Sequence, residues 1–155
     1  MASSDQKLLC LNILGYKKEG ISSEEYRNYM VNVHAPLVAG LMKKHGFLHW
    51  SMTHTTPESP DLMAQLYDPQ FANVAPYDCC VQIVFPSIDC FVRMKADPYF
   101  KQTIGLDHEK FADTRRSQMM IGWYSPLMKD GRLVGSTVGA DVVVNGNGVE
   151  HAKGE

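Results

Sequence analysis

Four short segments of the chain have the apolar patterns of β-strands. Residues 8–14 and 78–85 are apolar at nearly every position, which is typical of strands covered on both faces. Residues 47–54 alternate apolar and polar side chains, with Trp50 on the more apolar side, and residues 117–124 form a fourth apolar run. The pattern predicts four strands in this order along the chain.

The first helix is predicted between the first two strands. Apolar residues recur there at spacings of three and four, after an N-cap at Ser22 or Ser23 and before a terminating Gly46. Pro36 lies inside this stretch and cannot donate a backbone hydrogen bond. We therefore expect the helix to kink or break at His34, which leaves irregular backbone beside the imidazole.

The second half of the chain predicts one more helix and two irregular connections. A helix capped by Ser87 should stop at the Asp97-Pro98 pair. Residues 55–77 contain four prolines and form a long connection with a short helix near residues 61–66, and such connections are often functional. The polar cluster at residues 107–113 is expected in a loop or short turn.

The predicted order is β-α-β-β-α-β, which indicates an α+β, ferredoxin-like fold with helices on one face of an antiparallel sheet. The strands look apolar on both faces, including the side bearing Trp50 and Met52. A second copy of the chain could cover the open face, so we expect a homodimer that forms a dimeric α+β barrel. The Gly-rich residues beyond Val134 predict a domain at 1–134 and a mostly disordered tail at 135–155.

Length and composition exclude several functional classes. The 155 residues suffice for one domain, and the net charge of −2 with dispersed Lys and Arg argues against a nucleic-acid partner. The apolar run at residues 8–14 is too short to span a membrane, so we expect no membrane partner and a cytoplasmic protein. No metal-ligand spacing or Gly-rich phosphate loop is present, which predicts neither a metal nor a nucleotide cofactor.

Two histidines, His34 and His108, are the strongest candidates for chemistry. Each lies beside hydrophobic residues, in a different half of the domain. An imidazole of ordinary pKa, about 6.5, can both give and take a proton near neutral pH. We therefore predict a buried acid/base pair, in which Asp107 or Asp113 orients His108 and raises its pKa.

Structural alternatives exist for both histidines. His34 could be a core residue whose ring bonds a backbone carbonyl near Pro36. His108 could be an exposed loop cation between two acidic neighbours. Substrate-binding roles are predicted for eight further residues, although the tyrosines could equally be core and the acidic residues exposed: Tyr26, Tyr29, Trp50, His54, Asp78, Asp107, Phe111 and Asp113.

Several motifs in this order resemble those of the EthD-type dimeric α+β barrel family, and more narrowly its fungal branch found with aromatic polyketide pathways. The resemblance covers residues from about 8 to 125. The motifs are Glu24-Glu25-Tyr26-Arg27, His34-Ala35-Pro36-Leu37, Asp97-Pro98-Tyr99-Phe100, and Asp107-His108-Glu109 followed by Phe111-Ala112-Asp113.

The resemblance implies a cofactor-free enzyme that acts on a small polycyclic phenolic polyketide. Members of this branch are described as decarboxylases or dehydratases. We therefore expect a lyase that decarboxylates an anthrone-type carboxylic acid by His general acid/base catalysis, without assigning which histidine is acid and which is base. Dehydration or cyclisation of the same skeleton, cofactor-free oxygenation and non-catalytic carriage remain alternatives, because one fold supports many chemistries.

Overall fold

A computed structural model of the chain describes residues 7–66, 73–135, 142–145 and 148–151. The chain divides into two compact units, Met1–Tyr124 and Ser125–Glu155. The candidate chemistry lies entirely in the first unit.

The first unit is built on one four-stranded antiparallel sheet. Its strand order is β2-β3-β1-β4, so the first and third strands are central and the other two are edges. The strands are β1 (Leu8–Gly15), β2 (His49–His54), β3 (Cys79–Phe85) and β4 (Gln118–Tyr124). All four predicted strands and the ferredoxin-like α+β fold are thereby confirmed.

Within the described residues, five α-helices and three shorter helical turns accompany the sheet. The α-helices are α1 (Ser23–Tyr29), α2 (Ala35–Lys44), α3 (Ser59–Leu66), α4 (Asp89–Ala96) and the single turn α5 (Gly105–Asp107). Two π-helical turns, Met30–His34 and Phe100–Ile104, and a 3₁₀ turn, His108–Lys110, continue them.

The start of α1 confirms the N-cap predicted from the sequence. The Ser22 hydroxyl accepts a hydrogen bond from the Glu25 backbone N–H at 3.1 Å, and the Glu25 carboxylate accepts one from the Ser22 backbone N–H at 2.6 Å. This reciprocal capping box satisfies two of the backbone donors that a helix start leaves unpaired.

The sequence predicts a kink or break at His34; the chain does not break there but stays helical through Pro36, with a π-helical turn at Met30–His34. The backbone of His34 keeps helical angles, and the Ala35 N–H bonds the Met30 carbonyl five residues back. This wider π turn accommodates the missing N–H of Pro36, which lies in the first turn of α2, where proline is tolerated. His34 is therefore held on a continuous helix.

Residues 107–113 are expected in a loop or short turn; their first part is instead the end of a helical stretch that continues up to Lys110. Pro98 begins this second helical stretch as well as following α4. The Asp97 carboxylate accepts a hydrogen bond from the Tyr99 N–H at 3.0 Å, as a capping residue does. A proline at a helix start lacks only a hydrogen bond that would be unpaired there in any case.

The helices cover one face of the sheet, and the core lies between them. Trp50 and Met52 of β2 pack against this core, so they lie on the covered face rather than on the open one. The core residues are Tyr26, Met30, Val38, Leu41, Met42, Cys79, Val81, Ile83, Phe85, Cys90, Met94, Ile104 and Phe111.

The opposite face of the sheet is less apolar than the sequence suggests. On β2 it carries His49, Ser51 and Thr53, all of them exposed. The expectation that every strand is apolar on both faces is therefore wrong for β2. On β4 the same face carries the exposed Met120.

The described residues of the second unit form two short antiparallel pairs. Strand β5 (Met128–Lys129) pairs with β6 (Arg132–Leu133), and β7 (Val142–Asn145) pairs with β8 (Gly148–His151). The last pair falls inside the segment 135–155 for which we predict little fixed structure. The rest of that segment after Gly135 lies outside the described residues, so the domain boundary and the tail stay predictions.

Candidate active site

A cavity of about 520 Å³ lies between the covered face of the sheet and the helices. Its walls are mainly apolar, and they include Leu11, Met52 and Ile83 from the sheet. Val38 and Met94 contribute from the helices. Such a volume and lining are typical of a site for a small organic molecule.

Five of the ten residues predicted from the sequence line this cavity. They are Tyr26, His34, Trp50, His108 and Phe111. The two histidines, which are 74 positions apart in the chain, come together with a distance of 4.9 Å between ring centroids. The fold thus places one histidine from each half of the domain side by side in the wall of an apolar cavity.

His34 is held by Asp107. The distance from His34 Nδ1 to Asp107 Oδ2 is 2.8 Å, and the two residues are only 6% and 2% exposed. An ionised carboxylate can only accept, so the proton lies on Nδ1 of the histidine. The Nε2 atom has no hydrogen-bond partner among the described residues and is the atom available to a bound molecule.

Asp107 is anchored by two further donors. The Tyr29 hydroxyl donates to Asp107 Oδ1 at 2.8 Å, and Lys110 Nζ lies 3.1 Å from the same oxygen. Burial by itself raises the pKa of Asp107, but the hydrogen bonds from His34, Tyr29 and Lys110 together outweigh it and leave the pKa lowered. Asp107 is therefore an anion at neutral pH.

Tyr29 hydrogen-bonds the Asp107 carboxylate and does not line the cavity. Burial, together with the hydrogen bond to Asp107 and the charge of that carboxylate, raises the pKa of Tyr29. Its hydroxyl therefore keeps its proton and acts as a donor to Asp107.

His108 is not oriented as the sequence suggested. Burial and the neighbouring His34 lower the pKa of His108, which contradicts the expected increase. Asp107 pairs with His34 instead. Asp113 caps a local turn, in which its Oδ1 accepts hydrogen bonds from the N–H groups of Arg115 and Arg116 at 3.2 and 3.3 Å.

Phe111 packs the histidines and Tyr29 together. Its ring centroid lies 4.8 Å from that of His34, 5.3 Å from that of Tyr29 and 6.0 Å from that of His108. These contacts with a buried aromatic ring restrict the orientation of both imidazoles.

His54 lies behind the cavity wall. Its ring meets the Tyr26 ring edge-on at 5.5 Å, and its Nε2 is 3.2 Å from Met30 Sδ. Burial lowers the pKa of His54, so the ring is held in its neutral form. His54 itself does not line the cavity, but the two residues that it contacts, Tyr26 and Met30, do.

Tyr26 is a neutral phenol in the cavity wall beside Cys79. Burial raises the pKa of Tyr26 and raises the pKa of Cys79 to about 12, so neither group is ionised near neutral pH. The Tyr26 hydroxyl also approaches the end of β1, where a Cβ atom at Gly15 would lie 2.9 Å from it.

Asp78 lies outside the cavity. Its Oδ2 accepts a hydrogen bond from the Lys17 backbone N–H at 2.9 Å, and it borders a separate surface pocket lined from within residues 55–66 and 73–78. The structure therefore does not bring Asp78 or Asp113 to the two histidines.

Sequence reasoning missed Lys110. The residue lies three positions after Asp107, which is the spacing of contacting side chains on a helix. The sequence predicts a loop or short turn at residues 107–113, so the helical spacing of Asp107 and Lys110 does not by itself predict their contact. In the parts of the chain that the structure describes, no group of three His, Cys, Asp or Glu side chains could hold a metal ion, and no helix could cross a membrane.

Comparisons with known proteins identify relatives over most of the chain. Dehydratase ustZ of Ustilaginoidea virens is 71% identical over 139 residues, which cover 90% of this chain and 99% of that protein. Decarboxylase claH of Passalora fulva is 52% identical over 128 residues, 83% of each chain.

A solved structure and a family model agree with the fold. The crystal structure of an EthD-like protein from Ralstonia eutropha JMP134 superposes with a TM-score of 0.52 at 13% identity, over 76% of this chain and 91% of that one. The model of the EthD domain matches residues 18–115, which include His34, Asp107 and His108. The chain belongs to the EthD domain family.

Proposed function

We propose that this protein is a cofactor-independent lyase that decarboxylates a phenolic polycyclic carboxylic acid of the anthrone type. The proposal depends above all on the buried His34–Asp107 pair, which presents Nε2 at an apolar cavity. The class of substrate follows from the resemblance to the fungal aromatic-polyketide branch. The lyase class is supported by relatives named decarboxylase and dehydratase.

Decarboxylation at this site needs one proton donor. Protonated His34 delivers its Nε2 proton to the ring carbon that bears the carboxylate. The carbon–carbon bond then breaks, CO₂ leaves, and its bonding electrons restore the aromatic ring. The reaction consumes one proton, which His34 regains from solvent, while Asp107 holds the imidazole in place throughout.

The cavity supports this chemistry in two ways. Its apolar walls solvate a carboxylate poorly, which favours loss of charge as CO₂. The protonated phenol of Tyr26 and the neutral ring of His108 provide polar contacts for the phenolic oxygens of the substrate.

Dehydration of the same skeleton is the second candidate. The 4.9 Å between the His34 and His108 rings would let one histidine take a proton beside a ketone while the other protonates the leaving hydroxyl. The 71%-identical relative from Ustilaginoidea virens is named a dehydratase. Both reactions involve His34 and His108, but only dehydration needs a proton transfer by each of them.

We also propose that the protein works as a homodimer, in which a second copy covers the open face of the sheet. Strand β4 is an edge strand with several exposed apolar side chains, which is costly for an isolated chain. Of these, Met120 lies on the open face, whereas Met119, Ile121 and Trp123 lie on the cavity side of the same edge strand. A cytoplasmic location stays a prediction from the sequence.

The test is to incubate the purified, chelator-treated protein with a carboxylated hydroxyanthrone and follow the product by mass spectrometry. We expect loss of the mass of CO₂, and at least a 100-fold lower rate in His34→Gln, as for the loss of a general acid. His49→Gln is the matched control, because this exposed residue lies on the opposite face of the sheet.

Loss of water instead would make the enzyme a dehydratase. Binding without any change of mass, equally in wild type and His34→Gln, would overturn the lyase proposal and favour a carrier. A wild-type rate in His34→Gln would remove this residue from the mechanism.

A further inference from the structure

We propose that Lys110 is a positioning residue that keeps the buried Asp107 carboxylate charge-balanced while His34 gains and loses its proton. The inference rests on the proposed function, since it assigns a role within that proton transfer. Lys110 does not line the cavity, so it acts on the substrate only through Asp107 and His34.

The geometry of Lys110 fits a permanent counter-charge. Its Nζ lies 3.1 Å from Asp107 Oδ1, while His34 bonds the other oxygen, Oδ2. The Lys110 side chain is 65% exposed and the Asp107 side chain is 3% exposed. The ammonium therefore stays hydrated at low cost and still contacts the buried anion.

A count of charges shows why the pair needs this cation. When His34 is neutral, Asp107 and Lys110 carry −1 and +1 and sum to zero. Without Lys110, the same state would leave a lone buried carboxylate, which is expensive in a protein interior. His34 would then hold its proton more firmly, and transfer to the substrate would become harder.

Among the described residues, no neighbouring group can replace this charge. Tyr29 also bonds Asp107, but its raised pKa keeps it a neutral hydroxyl. The raised pKa of Lys110, caused first by its hydrogen bond to Asp107, agrees with a mutual stabilisation of the two charges. The titratable groups placed against the Asp107–His34 pair or against His108 are Tyr29, His108, Glu109 and Lys110.

The experiment compares Lys110→Met with Lys18→Met. Lys18 is the matched control, because its Nζ bonds the Glu109 backbone carbonyl at 3.1 Å in the same region but contacts no carboxylate within the part of the chain that the structure describes. We expect kcat to fall about tenfold in Lys110→Met with little change of KM, and the pH midpoint of kcat to rise by about one unit. Lys110→Arg should restore both values, and Lys110→Gln should not.

A second measurement does not depend on turnover. The ¹³C resonance of the Asp107 side-chain carboxyl should titrate at higher pH in Lys110→Met than in wild type, and unchanged in Lys18→Met. If Lys110→Met and Lys18→Met behave alike in both measurements, the inference is wrong. If the wild type shows no turnover but the Asp107 midpoint still rises, the proposed function fails and the charge-balancing role of Lys110 stands.

Discussion

At the scale of single residues, the site separates two histidines that look equivalent in the sequence. His34 has a carboxylate partner at 2.8 Å, whereas burial and the nearby His34 lower the pKa of His108. Environments that differ in this way are how one site holds groups with different proton-transfer roles. The assignment of Asp107 to His34 determines which imidazole has its Nε2 fixed toward the cavity.

Buried neutral histidines should make the fold sensitive to mild acid. The pKa values of His54 and His108 are lowered by burial, so between those values and about 6.5 the unfolded chain binds more protons than the folded one. Stability is therefore fully present above about pH 6.5 and is lost as the pH falls through that window. We expect a lower melting temperature at about pH 5.5 than at pH 7.5, and a smaller difference in His54→Gln.

The carboxylates change the stability in a different pH range, so they do not affect the comparison of melting temperatures at the two pH values. The pKa values of Asp97 and Asp107 are lowered in the folded chain. The stability that these carboxylates contribute is therefore lost only as the pH falls below their ordinary pKa, near 3.9. Equal melting temperatures at the two pH values, or an unchanged difference in His54→Gln, would contradict the prediction.

At the scale of elements, the end of β1 sets the position of α1. Gly15 is the last residue of β1, and it lets the buried Tyr26 of α1 approach the strand backbone closely. Any side chain at this position would meet the Tyr26 hydroxyl at 2.9 Å. The glycine is thus required by packing, and it places one wall of the cavity.

Gly15→Ala should destabilise the fold by about 1–3 kcal/mol, the usual cost of overpacking a core position. Adding Tyr26→Phe removes the hydroxyl that the new methyl group meets, so the double variant should recover part of the loss. Urea-induced unfolding measures both effects.

Gly122→Ala on the neighbouring strand is the matched control, since a Cβ atom there has no atom within 4 Å. We expect it to change stability by no more than about 0.5 kcal/mol. If Gly15→Ala and Gly122→Ala changed the free energy of unfolding equally, the close approach of Tyr26 would not contribute to stability.

At the scale of the whole molecule, the open face of the sheet is the feature that an isolated chain leaves unexplained. Met120 is 58% exposed there, on an edge strand and directed away from the cavity side. A second copy packed on this face would remove such side chains from water.

Met120→Glu should weaken the dimer, because a buried interface would desolvate the new charge. Light scattering during gel filtration should show a shift from dimer toward monomer. Val92→Glu is the control, since Val92 is also 58% exposed but lies on α4. Monomeric wild-type protein, or equal behaviour of the two variants, would refute the proposed dimer.

Much of the fold could be predicted from the sequence because it depends on local pattern. The four strands, the Ser22 cap and the end of α2 before Gly46 follow from side-chain alternation and terminal residues. The errors came where one local rule was applied alone. Taken alone, Pro36 predicts a kink or break, although it lies in the first turn of α2, where proline costs little, whereas α4 does end before Pro98 as predicted.

The sequence by itself determined the class of fold, the family and the identity of the two histidines. Periodicity is a short-range property, and an imidazole is recognisable by its chemistry wherever it stands. Only the tertiary structure decided that Asp107 binds His34 and not its neighbour His108, and that Lys110 completes the charges. The contact between His34 and Asp107 joins residues 73 positions apart, and its distance depends on how the helical stretches pack on one sheet face, which no local pattern specifies.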